Sequence, residues 1–227
     1  IRLSLVGSEM CIRDRFKYIF AGMAAMSVVA CSEDALETSP SSSVSGNELL
    51  GTATNALVSL NGVYRAMYTA GVSNSSNTHQ CFGITAYNLV ADVMGEDCIM
   101  NGQGSGWFWY DCVYNVKSRY TSTGWRSYDM WNGYYTWISN VNYILAEEET
   151  MSGSETEKNY VLGQAYAVRA YSYFMLAQMF SRTYKGHESE PCVPLYTEPT
   201  DIATEGKGRA TIEEVYLSLI HISEPTR

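Results

Sequence analysis

Four consecutive rings, Trp107-Phe108-Trp109-Tyr110, follow the run Asn101-Gly102-Gln103-Gly104-Ser105-Gly106. Glycines at every second position disfavour a regular element and place the rings on a loop. A loop can present rings that a helix would bury. Flat aromatic faces pack against apolar C–H patches, while amides and carboxylates at the edge bond hydroxyls; Asn101, Gln103 and Asp111 are the edge candidates. That chemistry grips a ligand such as a sugar without breaking a bond. The competing reading turns one or two of the rings inward to anchor the loop, because large aromatics are mostly buried.

Catalytic constellations are weaker. Asp92, Glu96, Asp97 and Asp111 are residue types that serve as the acid and nucleophile of a glycosidase, but their spacing places no two of them across a sugar. Solvated loop carboxylates account for them better. His187-Glu188 lacks the second histidine of a metal-binding helix, and His79 has no ligand pattern around it. No Ser, Cys or Lys carries a nucleophile motif. No catalytic residue, metal site or cofactor is therefore expected. Cys81, Cys98, Cys112 and Cys192 lack the short paired spacing of a zinc site. In an exported protein they could form disulfides in three pairings, or remain as buried thiols; both readings stay open.

The elements that position these residues sit in an acidic chain of 227 residues, with 15 Lys and Arg against 24 Asp and Glu and a net charge of −9. No basic run is present, which argues against a nucleic-acid partner, since phosphate binding needs clustered cations. Residues 1–15 and 217–227 are expected to be non-native. Leu5–Arg15 and Leu217–Arg227 read as the two orientations of a translated sequencing adapter, so Cys11, His221 and Arg227 should carry no function. Residues 16–31 carry a basic residue at Lys17, continue mostly apolar and end in Val28-Val29-Ala30-Cys31. That pattern is a signal-peptide core closing on a lipobox, with Cys31 as the lipid-accepting thiol. Residues 32–45, rich in Ser with acidic residues close behind the cysteine, read as a flexible tether.

The body, 46–216, is expected to be all-α. Apolar positions recur at three and four residues over about 46–70, 82–94, 125–149 and 155–182. A short helix is expected within 107–117. Ser154-x-x-Glu157 and Thr211-x-x-Glu214 have capping-box spacing, and Glu190–Tyr196 should be extended around its prolines. Helix 46–70 is expected to pair with 82–94, and 125–149 with 155–182, as antiparallel tetratricopeptide-like units. Trp131, Tyr135 and Trp137 then fall on an inward or pairing stripe, and Arg169 reads as a structural guanidinium.

With these elements in place, the sequence resembles the SusD/RagB family of outer-membrane, glycan-capturing lipoproteins. The resemblance is carried by the Cys31 lipobox, by Ala56-Leu57-x-x-Leu60-x-Gly62-x-Tyr64 and by Trp131-x-x-x-Tyr135-x-x-Ile138-x-x-x-Asn142. Its most specific stretch is Gly163-Gln164-Ala165-Tyr166-Ala167-Val168-Arg169-Ala170-Tyr171-Ser172-Tyr173-Phe174-x-Leu176, followed by Pro194-Leu195-Tyr196 and Gly208-Arg209-x-Thr211-x-x-Glu214-Val215-Tyr216. Gln164 stands where the family often has Glu. The likeness spans nearly all of Phe16–Tyr216 but only the N-terminal part of a longer fold. It implies a non-enzymatic surface lipoprotein, anchored at the outer membrane through Cys31, that passes oligosaccharides or peptides to a SusC-like TonB-dependent transporter. It implies no cofactor, although some members bind calcium.

Overall fold

The computed structural model describes residues 50–115 and 124–223. The lipobox, the tether and the segment 1–15 lie outside the described residues. Among the described residues are six α-helices, one 3₁₀ turn at Ser75–Asn77, and no strand beyond two isolated bridges. The helices are α1 (Ala53–Ala66), α2 (Ile84–Met94), α3 (Trp109–Cys112), α4 (Trp125–Ala146), α5 (Glu155–Phe180) and α6 (Ile212–Ser223). The all-α expectation holds.

α1 starts later than its apolar period suggests. Thr52 bridges Ser152, with the Ala53 N–H donating to the Ser152 carbonyl at 2.8 Å, and its own backbone is extended. Thr52 then caps the helix, its hydroxyl accepting from the Asn55 N–H at 3.2 Å. α5 begins on the expected capping box: Ser154 Oγ accepts from the Glu157 N–H, and Glu157 Oε2 accepts from the Ser154 N–H at 3.0 Å. Thr211 and Glu214 exchange the same bonds at the start of α6. Between α5 and α6 the chain has turns at 184–189 and 201–204 and no regular element, and Pro191 pairs with Thr211 in an antiparallel bridge.

The α4–α5 pairing matches the sequence expectation, and α6 continues it by packing on α5. The first pairing differs. α1 packs mainly on α4 and α5, while α2 meets α1 at one end through a turn. That turn needs glycine: Gly83 has φ +68°, and a Cβ there would lie 1.9 Å from the Met67 carbonyl oxygen. α2 instead leans on α4 at Gly133, where a Cβ would lie 2.3 Å from the Tyr87 hydroxyl. Absence of a side chain at Gly133 thus lets a tyrosine cross the helix backbone closely.

The core runs through Leu60 of α1, Tyr87 and Val90 of α2, Tyr134, Trp137 and Val141 of α4, Val161, Ala165 and Leu176 of α5, and Ile212 of α6. Tyr87, Tyr134 and Trp137 form one aromatic cluster with ring centroids 4.9–6.0 Å apart. Gln164 accepts from the Tyr64 hydroxyl at 3.0 Å, so the amide fills the polar role at that position. Arg169 is buried, donating to Asn142 Oδ1 at 3.0 Å and to the Thr197 carbonyl at 3.1 Å, a structural part as expected. None of the four cysteines downstream of Cys31 is disulfide-bonded: Cys81 and Cys192 are buried, Cys112 is half-buried and Cys98 is exposed. No helix among the described residues is long and apolar enough to cross a membrane.

Candidate functional site

The glycine-rich run folds as turns, with Gly104 and Gly106 both at positive φ and the Gly106 N–H closing on the Gln103 carbonyl at 2.8 Å. The chain then enters the single turn of α3 through Phe108, whose φ of 56° is left-handed. That conformation is costly for a bulky residue and persists only where its surroundings hold it. Here they do. The Phe108 N–H donates to Gln80 Oε1 at 3.0 Å, its ring meets Phe82 edge-on, and the Arg126 guanidinium lies 5.1 Å from the ring centroid.

Arg126 is the centre of this arrangement. Its two terminal nitrogens donate to the Gln80 carbonyl at 2.8 Å and to Asp111 Oδ2 at 3.1 Å, and the plane also covers the Trp125 ring at 4.2 Å. Both partners of the ion pair are buried, with side chains 3% and 6% exposed. Burial draws the Arg126 pKa down to about 10, still above neutral pH, so the guanidinium stays charged. A buried pair of this kind adds little net stability, but losing one partner strands the other's charge in the interior. Nearby, Asp129 is fully buried and accepts from Ser73 Oγ, and burial raises its carboxyl above the ordinary range. Cys81 is buried beside it, its thiol pushed up to about 12 by the same desolvation, which makes it inert as a nucleophile.

This frame decides which of the expected contact residues face outward. Trp107 and Tyr110 are exposed, at 49% and 57%, and Trp109 is half-buried. Asn101 and Gln103 are exposed. Phe108 and Asp111 correct the sequence expectation. Both point inward, Phe108 as the ring that anchors the loop and Asp111 as the partner of Arg126, and neither side chain is presented to a ligand. The exposed platform also gains a residue the sequence did not offer: His79 stands against Trp107, centroids 5.4 Å apart and planes tilted by 43°.

Chemically, the arrangement offers two exposed rings and an imidazole at the surface, backed by a rigid charged anchor. Such a surface holds a ligand by stacking and edge hydrogen bonds. Gln80 and Arg126 were invisible in the sequence because they stand 28 and 18 residues from Phe108. The one local hint was an arginine beside Trp125 at a helix start, which by itself specifies no partner.

The comparisons with known proteins agree with this architecture. The family profile described as "Starch-binding associating with outer membrane", SusD-like, matches residues 99–222, a span that takes in the aromatic loop. A SusD-like carbohydrate binding protein from Bacteroides vulgatus ATCC 8482 superposes with a TM-score of 0.66 at 27% identity, covering 78% of this chain and 35% of that one. A SusD superfamily protein from Bacteroides thetaiotaomicron VPI-5482 superposes with a TM-score of 0.52 at 19% identity, over 77% of this chain and 36% of that one, a likeness of fold. The chain thus spans about a third of the length of these solved relatives. No curated protein matches the sequence. With its helical frame, and with the matched segment taking in more than half of its residues, this chain belongs to the SusD-like family.

Proposed function

We propose that the chain is part of a non-catalytic carbohydrate-capture protein of the outer-membrane surface. In this reading Cys31 carries the lipid anchor, and the captured oligosaccharide passes to a SusC-like TonB-dependent transporter. Trp107 and Tyr110, with Trp109 beside them, stack on the sugar, and Asn101 and Gln103 bond its hydroxyls. The observation that carries the reading is the pair of exposed rings on a loop locked from behind by Arg126, inside the segment matched by the SusD-like profile. A loop already ordered by Phe108 and Asp111 loses less conformational freedom on binding, which favours a stacking role for the rings it carries.

Calorimetry against a panel of oligosaccharides tests it, using the lipid-free chain and its Trp107→Ala/Tyr110→Ala double variant. Binding that falls by about tenfold or more in the variant, with an unchanged melting temperature, supports the reading. Unchanged affinity in the variant overturns the loop as the site. Chromatographic analysis of the same mixtures separates capture from turnover, because a surface hydrolase would shorten the glycan and a purely structural adhesin would bind none.

A further inference from the structure

A cleft of about 320 Å³ opens between α4 and the segment that follows Pro194. The size lies at the small end of ligand pockets, roughly 300–1,000 Å³. Its walls are rings. Trp131 and Tyr135 have centroids 4.9 Å apart and planes tilted by 44°, and Tyr196 meets Tyr135 edge-on at 6.1 Å. All three are half-buried, so each keeps some of its surface open. The lining also includes polar groups, Ser139 on α4 and Asp201 and Thr204 on the loop. Among the described residues the lining carries this one carboxylate and no Lys or Arg.

The facing loop is fastened along its length. Asn142 Nδ2 donates to the carbonyls of Tyr196 at 2.9 Å and Glu198 at 3.1 Å, and Arg169 donates to that of Thr197. The Tyr143 hydroxyl donates to the Thr200 carbonyl at 2.8 Å, and the Lys207 N–H to the Tyr196 hydroxyl at 2.9 Å. Asp201 Oδ1 accepts from Ala203 N–H and Thr204 Oγ, both at 2.9 Å, which holds the carboxylate in place. A cleft whose walls are already ordered avoids much of the entropic cost of binding.

We infer that this cleft is a second carbohydrate subsite, separate from the 107–110 loop, taking one or two units at the end of a neutral saccharide. Trp131, Tyr135 and Tyr196 meet the C–H faces of the sugar. Ser139, Asp201 and Thr204 bond its hydroxyls, and the lone carboxylate disfavours acidic sugars. The inference rests on the carbohydrate-capture reading above but uses none of its residues.

The test labels the chain with 5-fluorotryptophan, giving five fluorine resonances, from Trp107, Trp109, Trp125, Trp131 and Trp137. Each is assigned by its Trp→Phe replacement, and the chain is titrated with maltotriose, then xylotriose and cellotriose. The expected result is a saturable shift at Trp131. Ser139→Arg, which places a long side chain in the cleft, should weaken the Trp131 response about tenfold and leave the Trp107 response unchanged. Asp201→Asn, on an exposed loop where folding is not at risk, should weaken it about threefold. A silent Trp131 alongside a shifting Trp107 overturns the second subsite and leaves the loop reading intact. A silent Trp107 with a shifting Trp131 does the reverse. No shift at either ring with any of the three sugars overturns both.

Discussion

Two buried arginines hold irregular segments against the same helical frame, and they do so differently. Arg169 projects from the middle of α5 and binds an amide and a carbonyl, drawing the 196–198 segment onto the α4–α5 pair. Arg126 stands in the first turn of α4 and binds a carbonyl and a carboxylate, drawing the 108–111 turn against Gln80. The segment held by Arg169 has further fastenings at Asn142, Tyr143 and Tyr173. The turn held by Arg126 has the Gln80 amide and the Phe108 ring, which is buried in the core. A guanidinium bonded to neutral groups is one strut among several. A guanidinium paired with a buried carboxylate is a keystone, because its removal leaves a charge behind.

The largest expected effect sets the scale for that contrast. Trp137→Ala empties a fully buried site between Tyr87 and Tyr134 and should cost about 3–5 kcal/mol in urea unfolding. Arg126→Met should cost about 3 kcal/mol by stranding Asp111. Its loss should appear first in hydrogen exchange of the 106–112 amides, with α5 and α6 still protected, and should carry the glycan affinity of the loop away with it. Adding Asp111→Leu to Arg126→Met should return part of that stability, because the Asp111 charge is then no longer stranded, while Asp129 still lacks the nearby guanidinium. A single variant with wild-type exchange at 106–112 would break the comparison.

The helical half of the molecule was legible in the sequence because local rules specify it. Ser154-x-x-Glu157 and Thr211-x-x-Glu214 predicted the starts of α5 and α6 correctly, since a capping box is completed within four residues. Trp137 falls on the inward or pairing stripe from period alone, and it is fully buried. The 46–70 period runs past the start of α1 because the Thr52–Ser152 bridge, a contact across a hundred residues, holds Thr52 extended as the helix cap. Its pairing with 82–94 failed for a related reason: periodicity locates an apolar face but not the face it meets, and Gly133 provided α2 with a better seat on α4. In the loop, composition marked the right residues but not their directions. Phe108 and Trp107 are adjacent aromatics, and only Gln80 and Arg126, distant in sequence, decide that the first turns in and the second out. His79 entered the site the same way, as a neighbour supplied by the fold.

Smaller effects sharpen the contrast between the two arginines. Arg169→Met removes bonds to neutral acceptors, leaves no carboxylate stranded among its hydrogen-bond partners, and should cost about 2 kcal/mol. Its exchange signature should spread over 196–198 without opening the segment, since Asn142 and Tyr173 still hold it. If Arg169→Met were the costlier of the two, the keystone and strut roles would be reversed.

The smallest effect separates carboxylates by environment. Glu157 is exposed, and its bonds from the Ser154 hydroxyl and N–H hold its carboxyl below the usual range. A depressed folded pKa means a contribution to stability that is complete above the unfolded value of about 4.3 and is lost as pH falls through the folded one. Asp129 is buried and shifted the other way by desolvation, so its contribution favours the folded state as pH falls toward its unfolded value, and opposes it as pH rises through its folded pKa. Glu157→Gln keeps the reach of the capping side chain without its charge. The urea midpoint of this variant should therefore lie slightly below wild type at about pH 6 and converge on it as pH falls through the depressed pKa of Glu157. Because α5 carries Arg169 and the cap sits far from Arg126, exchange at 106–112 should be the same in both proteins at either pH. A pH-dependent opening of that loop in the Glu157 variant would mean that the two regions are coupled through the helix frame, and the separation between strut and keystone would no longer describe the molecule.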